Sequence, residues 1–315
     1  MPSDLNPEIE SSPEAASPPV AASAPEIGSA PKSTSAPATT AETEPILTVT
    51  PVPGVAKPNP ILTIDGLRRS FGGVTAVDVD HLEIERGIVT ALIGPNGAGK
   101  TTMFNLLTGF SRAESGHWTF NDKTVTSLSP DRLARMGMVR TFQLTKSLAK
   151  LSVLQNMLLG ATGQTGEKLW AAPFRKLWQS EERANTERAD ELLERFNLAQ
   201  KRDDLAGTLS GGQRKLLEMA RALMSDPELI MLDEPMAGVN PALAQSLVEH
   251  ITQLAMTGVS VVYIEHDMDV VSGISDWVVV LAQGRVIAEG GPWKVIHDEK
   301  VIDAYLGRQR GDNRT

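Results

Sequence analysis

Gly94-Pro95-Asn96-Gly97-Ala98-Gly99-Lys100-Thr101 has the form GxxxxGK[ST] and decides the fold. In such a loop the glycines let backbone N–H groups converge on the β- and γ-phosphates of a nucleotide. The Lys100 ammonium reaches the same phosphates, and the Thr101 hydroxyl suits Mg²⁺. The flanks agree. Ile88-Val89-Thr90-Ala91-Leu92-Ile93 is a β-branched apolar run that reads as a buried strand. Thr102, Met103, Phe104, Leu106 and Leu107 follow at helical spacing, which places the phosphates at a helix N-terminus.

Composition narrows the surroundings. The chain has 315 residues, enough for one large domain or two small ones, and a net charge of -9 argues against a nucleic-acid partner. Its longest apolar run, Trp277 to Ala282, is strand-sized and far short of a membrane span. With Cys 0, disulfides, thiol catalysis and thiolate metal sites are excluded, which fits a reducing compartment. The histidines are scattered, without metal-ligand spacing.

Residues 1–58 are rich in Ala, Pro, Ser, Thr and Glu, lack aromatics and Arg, and repeat Ser-Ala-Pro at Ser23, Ser29 and Ser35. Such a segment buries too little apolar surface to offset its ordering entropy and is expected to be disordered, with a reach of roughly 40 Å. It has neither the basic start and apolar run of a secretory signal nor the Arg-rich pattern of a transit peptide. It reads as an inert tail or a tether.

From Ile61 an alternating β pattern runs through the Gly72-Gly73 turn to the phosphate loop. Pro130 to Met136 reads as a helix and Val139 to Phe142 as a strand. Between about 144 and 205 the apolar spacing turns helical, interrupted by Gly163 to Ser180 with Trp170, Phe174 and Trp178. Those aromatics suit either an exposed contact for a membrane partner or core packing. After Leu229, strands and helices alternate, as in a mostly parallel sheet.

Leu229-Ile230-Met231-Leu232-Asp233-Glu234 is an apolar strand ending in two acids. Beside a phosphate loop, Asp233 is the candidate partner of Mg²⁺, and Glu234 is the candidate to orient or deprotonate an attacking water. Leu209-Ser210-Gly211-Gly212-Gln213 precedes another helix and forms a second anion site, with Ser210 also placed to cap that helix. One nucleotide rarely reaches both sites in a monomer. They make sense if two chains meet head to tail.

At these residues the chain resembles the ABC-type ATPase subunits, over about residues 60–308. Five motifs stand in that family's order: the phosphate loop, the lone Gln143 after a strand, the Leu209 to Gln213 signature, the acidic strand 229–234, and His266. Phe71 stands where the family has an aromatic that stacks on adenine. Phe71-Gly72-Gly73, Arg140-Thr141-Phe142-Gln143, Ala237-Gly238-Val239-Asn240-Pro241, Glu265 to Val271 and Ala304-Tyr305-Leu306-Gly307 are similar to the LivG-type subgroup. Those are ATP-binding subunits of branched-chain amino acid importers, with relatives serving urea and short amides. Asn240 replaces the Asp of many superfamily members, as in the subgroup, and also reads as an N-cap before Pro241. Residues 144–180 depart most from the subgroup's pattern.

The resemblance implies an α/β fold, a P-loop NTPase of ABC type with a mixed sheet core, an antiparallel β subdomain and an inserted α-helical subdomain (about 144–205). The domain is expected over 59–308, with a charged tail at 309–315. It implies ATP and Mg²⁺ as ligands. Gly94, Pro95, Asn96, Gly97, Ala98, Gly99, Lys100, Thr101 and Thr102 cradle the nucleotide against Phe71. Ser210, Gly211, Gly212 and Gln213 close over the nucleotide of the partner chain. Thr101, Gln143 and Asp233 serve Mg²⁺, and Glu234, His266 and Gln143 carry catalysis. The implied partners are a second ABC ATPase subunit, identical or homologous, and two membrane permease subunits. A solute-binding protein acts indirectly, and the chain lies peripherally at the cytoplasmic face. A soluble, non-transport ABC ATPase is the competing reading. One set of motifs and no heptad run weigh against it.

Overall fold

The computed structural model describes residues 47–141, 148–162 and 179–311, with side chains as far as Leu306. Gln143, Trp170, Phe174 and Trp178 lie outside the described residues.

Two long strands, β1 (Pro60–Phe71) and β2 (Val74–Glu85), form an antiparallel hairpin across Gly72-Gly73. β3 (Val89–Ile93) then runs into the phosphate loop and α1 (Lys100–Leu107). β4 (Ser115–Phe120) and β5 (Lys123–Thr124) complete a four-stranded antiparallel sheet in the order β2-β1-β4-β5. α2 (Pro130–Arg135) leads into β6 (Met138–Arg140).

A helical part follows: α3 (Val153–Leu158), α4 (Gln179–Arg195) and α5 (Gly211–Leu223). Their buried faces meet through Val153, Met157, Leu192, Leu193, Leu216, Leu217 and Ala220, with Phe196, just past α4, in the same cluster. The helices recur at an apolar spacing of three and four residues because only one stripe of each faces this core. β7 (Leu229–Asp233), α6 (Pro241–Met256), β8 (Ser260–Ile264), α7 (Met268–Ile274), β9 (Trp277–Ala282), β10 (Arg285–Gly290), α8 (Pro292–Ile296) and α9 (Glu299–Gly311) finish the chain. α9 therefore continues past the expected domain end at 308.

The central sheet has the order β10-β9-β3-β8-β7-β6, parallel except for the antiparallel edge strand β10. Its four inner strands are buried on both faces, which is why they are largely apolar rather than alternating. Val89, Ala91 and Ile93 of β3 face the core shared with the helical part, whereas Leu92 faces the core shared with α1 and the antiparallel sheet. Ile230 and Leu232 of β7 likewise point one way, and Leu229 and Met231 the other. The register sets Leu92 of β3 and Asp233 of β7 both level with Ile264 of β8.

The expectation of disorder up to residue 58 is corrected for its last dozen residues. Leu47 is buried, and residues 47–58 lie as a strap along β9, β10 and β2. The Glu289 carboxylate accepts from the Val55 N–H (3.1 Å), the Lys57 ammonium (2.6 Å) and the Trp277 Nε1–H (2.9 Å). Lys57 also lies 4.6 Å from the Trp277 ring centroid. The backbone N–H groups of Lys57 and Asn59 are taken by Glu83 and Glu85 of β2. Composition predicts disorder when a segment has nothing to bury against. Here the polar groups of the strap meet the carboxylates of Glu83, Glu85 and Glu289, the last two buried, which satisfy them.

The Lys57–Glu289 pair is fully enclosed. Removing one partner of such a pair strands the other charge, at about 3 to 5 kcal/mol. Lys57→Met is therefore expected to lower the unfolding free energy by that order. Denaturant melts of the variant beside the wild type read it, and equal midpoints would show that the strap is not part of the cooperative unit.

Candidate functional site

The phosphate loop leaves β3 and enters α1 under tight steric control. At Gly94 (φ +146) a Cβ would stand 2.0 Å from the Leu281 carbonyl oxygen, and at Gly99 (φ +104) 2.1 Å from that of Ala76. Both positions thus need glycine for conformation and for space. α1 starts without a side-chain cap, so its first N–H groups look to something other than a cap for partners. The buried Lys100 folds back, donating to the carbonyls of Gly94 (2.6 Å) and Pro95 (3.2 Å). The ammonium is thereby held inside the loop that the phosphates would enter. Thr101 is exposed and Thr102 half-buried beside it.

Asp233 ends β7 with a buried carboxylate. Its Oδ2 accepts from Arg140 Nη2 at 2.6 Å, while Oδ1 is buried with no partner. Arg140 ends the neighbouring strand β6 and also donates to Asn105 Oδ1 of α1 at 2.6 Å. Asn105 shares a helix face with Thr101, four residues earlier. Arg140 therefore ties the acid of β7 to the helix that carries the Thr101 hydroxyl. An orphaned carboxylate oxygen at this place suits a cation. No group of three or more His, Cys, Asp or Glu among the described residues could hold a metal unaided. Mg²⁺ commonly takes one or two carboxylates together with substrate phosphates.

Glu234 follows with φ +50, a left-handed backbone rare outside glycine. Its N–H donates to the Ile264 carbonyl (3.1 Å), and its Oε1 lies 2.8 Å from His266 Nε2. The carboxylate can only accept, so the imidazole Nε2–H is the donor. The buried Glu265 braces the loop after Glu234 and His266 itself, taking the Met236 N–H at 2.9 Å and the His266 N–H at 3.0 Å. The resemblance links His266 to Glu234 in catalysis, and the structure puts the two side chains in contact. The sequence alone assigns Arg140 and Glu265 no role, since the signal for them is a pairing across strands rather than a spacing along one.

Ser210 and Gln213 open α5 as a reciprocal capping box: the Gln213 N–H donates to Ser210 Oγ (3.2 Å), and the Ser210 N–H to Gln213 Oε1 (2.9 Å). This turn lies at the surface, with Ser210 and Gly211 exposed and Gly212 and Gln213 half-buried. Asn240 caps α6 through the Leu243 N–H (2.9 Å), with Pro241 at the first helical position. Phe71, at the end of β1, is half-exposed, and the Arg69 guanidinium lies 4.7 Å from its ring centroid. Among the described residues no helix is long and apolar enough to cross a membrane.

Comparison with known proteins agrees with this geometry. The sequence profile of the family described as "ABC transporter" matches residues 77–237. A probable branched-chain amino acid transport ATP-binding protein LivG of Archaeoglobus fulgidus is 41% identical over 249 residues, covering 79% of this chain and 96% of its own. The high-affinity branched-chain amino acid transport ATP-binding protein BraF of Pseudomonas aeruginosa is 40% identical over 250 residues, covering 79% and 98%. Among solved structures, the ADP conformation of an ATP-binding cassette of an ABC transporter superposes with a TM-score of 0.69 at 39% identity, covering 79% of this chain and 99% of that one. With the phosphate loop, the acidic strand end and the Glu234–His266 contact on one sheet, these matches place the chain in the ABC transporter family, as one of its ATP-binding, ATP-hydrolysing cassettes.

Proposed function

We propose that this chain is the ATPase subunit that powers a membrane importer of branched-chain amino acids. The observation that carries the chemistry is the gathering of Lys100, Asp233 and the Glu234–His266 pair at the carboxyl ends of β3, β7 and β8. The solute class rests on the relatives named LivG and BraF.

In this reading the loop Gly94 to Thr102 wraps the β- and γ-phosphates, and Lys100 exchanges its loop carbonyls for phosphate oxygens. The exposed Phe71 ring stacks on adenine. Glu234 takes a proton from the water whose oxygen attacks the γ-phosphorus, while the bond to the departing ADP oxygen breaks in line. His266 fixes the Glu234 carboxylate, and its exposed ring reaches the γ-phosphate. Thr101, Asp233 and Gln143 would hold Mg²⁺, directly or through water, and the ion would supply charge neutralisation at the phosphates. Asp233, pinned on one oxygen by Arg140, keeps the other aimed at that position. The protein's part is mainly positioning and charge stabilisation.

Ser210, Gly211, Gly212 and Gln213 close over the γ-phosphate held by a second cassette, so that ATP binding means dimer closure. Two permease subunits at the cytoplasmic face follow that closure, and a solute-binding protein acts through them. Gln143, which in the sequence stands between the core strands and the helical segment, reports loss of the γ-phosphate to that segment. In this reading the cassette domain is residues 59–308 with a helical subdomain inserted at about 144–205, and the strap from residue 47 packs against it.

Purifying the chain from detergent extracts is expected to bring down two membrane subunits. Deleting it in its own cell is expected to abolish ATP-dependent uptake of leucine, isoleucine and valine. Loss of urea or short-amide uptake instead would move the solute class. An active ATPase recovered with no membrane protein would overturn the transport role.

A further inference from the structure

Glu234 holds a left-handed backbone that a non-glycine residue keeps only where its surroundings over-determine it. Two restraints come from the sheet side, through the Ile264 carbonyl and the Glu265 carboxylate. A third comes from the helical part. The Lys215 ammonium, on α5, donates to the carbonyls of Glu234 (3.4 Å), Pro235 (3.0 Å) and Ala237. Three main-chain oxygens of one short loop thus converge on a single side chain. Burial pushes the Lys215 pKa down, and the neighbouring carboxylates of Glu265, Glu218 and Glu234 push against that.

The position of Lys215 on its helix gives the contact a meaning. Five residues earlier α5 begins at the Ser210–Gln213 box, about 7 Å away along the axis at the helical rise. A helix this short moves as a rod. One end faces the nucleotide of the partner cassette, on the dimeric reading above, and the middle grips the loop that carries this chain's own Glu234. Past Ala237 the same loop runs through Gly238 and Val239 to the Asn240 cap of α6.

We propose that Lys215 is a positioning residue that couples the two nucleotides of the dimer. Arrival of the partner's γ-phosphate at the N-terminus of α5 sets the height of the 234–237 loop, and with it the aim of the Glu234 carboxylate at its water. The inference rests on the proposed pairing of cassettes.

The test uses the transport complex purified through the full-length chain, with Lys215→Met and Lys215→Arg beside the wild type. For Lys215→Met the expected result is ATP affinity within about twofold of the wild type, but kcat lowered about tenfold or more, within the range of a misplaced catalytic group. The Hill coefficient for ATP in hydrolysis is expected to fall to one. Lys215→Arg, which can still donate to several carbonyls, is expected to recover most of kcat and the cooperativity. Wild-type kcat and Hill coefficient in Lys215→Met would overturn the proposal. So would a loss of kcat matched by equal losses of ATP affinity and melting temperature, which would mark a purely structural contact. A wild-type complex that shows no ATP hydrolysis or no second cassette would instead defeat the proposed function, and this inference with it.

Discussion

Glu234→Gln should bind ATP as the wild type does and hydrolyse it at least roughly a hundredfold more slowly, the low end of general-base effects. The amide keeps the length and shape of the carboxylate. Its oxygen can still accept from His266 Nε2, now 2.8 Å from Oε1, and the backbone bond to Ile264 is untouched. What disappears is the group proposed to take the proton of the attacking water. Because the proposed phosphate contacts are those of Lys100 and the loop N–H groups, affinity is expected to be spared. A chain that binds ATP without cleaving it should also accumulate in the closed, paired form, which sedimentation in the presence of ATP would detect. Near-normal turnover in this variant would remove Glu234 from its assigned place.

Lys100→Ala should lose nucleotide binding. The ammonium is buried and already surrounded by the carbonyls of Gly94 and Pro95, so it waits in the loop rather than arriving from solvent. Each charge-assisted hydrogen bond to a phosphate is worth about 1.5 to 3 kcal/mol. Two such bonds correspond to a loss of affinity of about a hundredfold or more. The truncation also leaves two loop carbonyls without their donor, in a loop whose glycines cannot be repacked. Equilibrium binding of ATP with and without Mg²⁺ reads the effect, and unchanged affinity would contradict the phosphate role. The two variants separate the functions cleanly: one binds without turning over, the other does neither.

The parts of this site that were legible in the sequence are those written by local spacing. A strand, a glycine loop and a helix in series need no tertiary information, and Lys100 follows from them. The acids Asp233 and Glu234 stand out because an apolar strand stops at them. The Ser210 and Asn240 caps are readable from the three residues after each. Long-range pairings were not legible. Nothing near Lys215 in the chain announces that its ammonium will meet the carbonyl of Ala237, 22 residues on. Arg140 finds Asp233 only once β6 lies beside β7. The seat of the strap is hidden for the same reason. Lys57 and Glu289 stand 232 residues apart, and neither looks unusual among its neighbours. Composition judged residues 47–58 by their own content, whereas their order comes from the edge they cover.

The shared level of β3, β8 and β7 has a consequence for how such a chain can change over generations. Leu92, Ile264 and Asp233 sit on one rung, so the groups just beyond them are addressed by strand register. Lengthening a connection between strands leaves that address intact, because doubling a flexible loop costs only about 0.6 kcal/mol. Adding one residue inside a strand would turn its side chains to the opposite face and move its catalytic neighbour off the rung. Insertions are therefore tolerated in connections away from this rung and forbidden over a few residues of three strands and in the loops that leave them at the rung. Heritable variation in length is expected to gather in the connections away from that rung, while the chemistry stays in place.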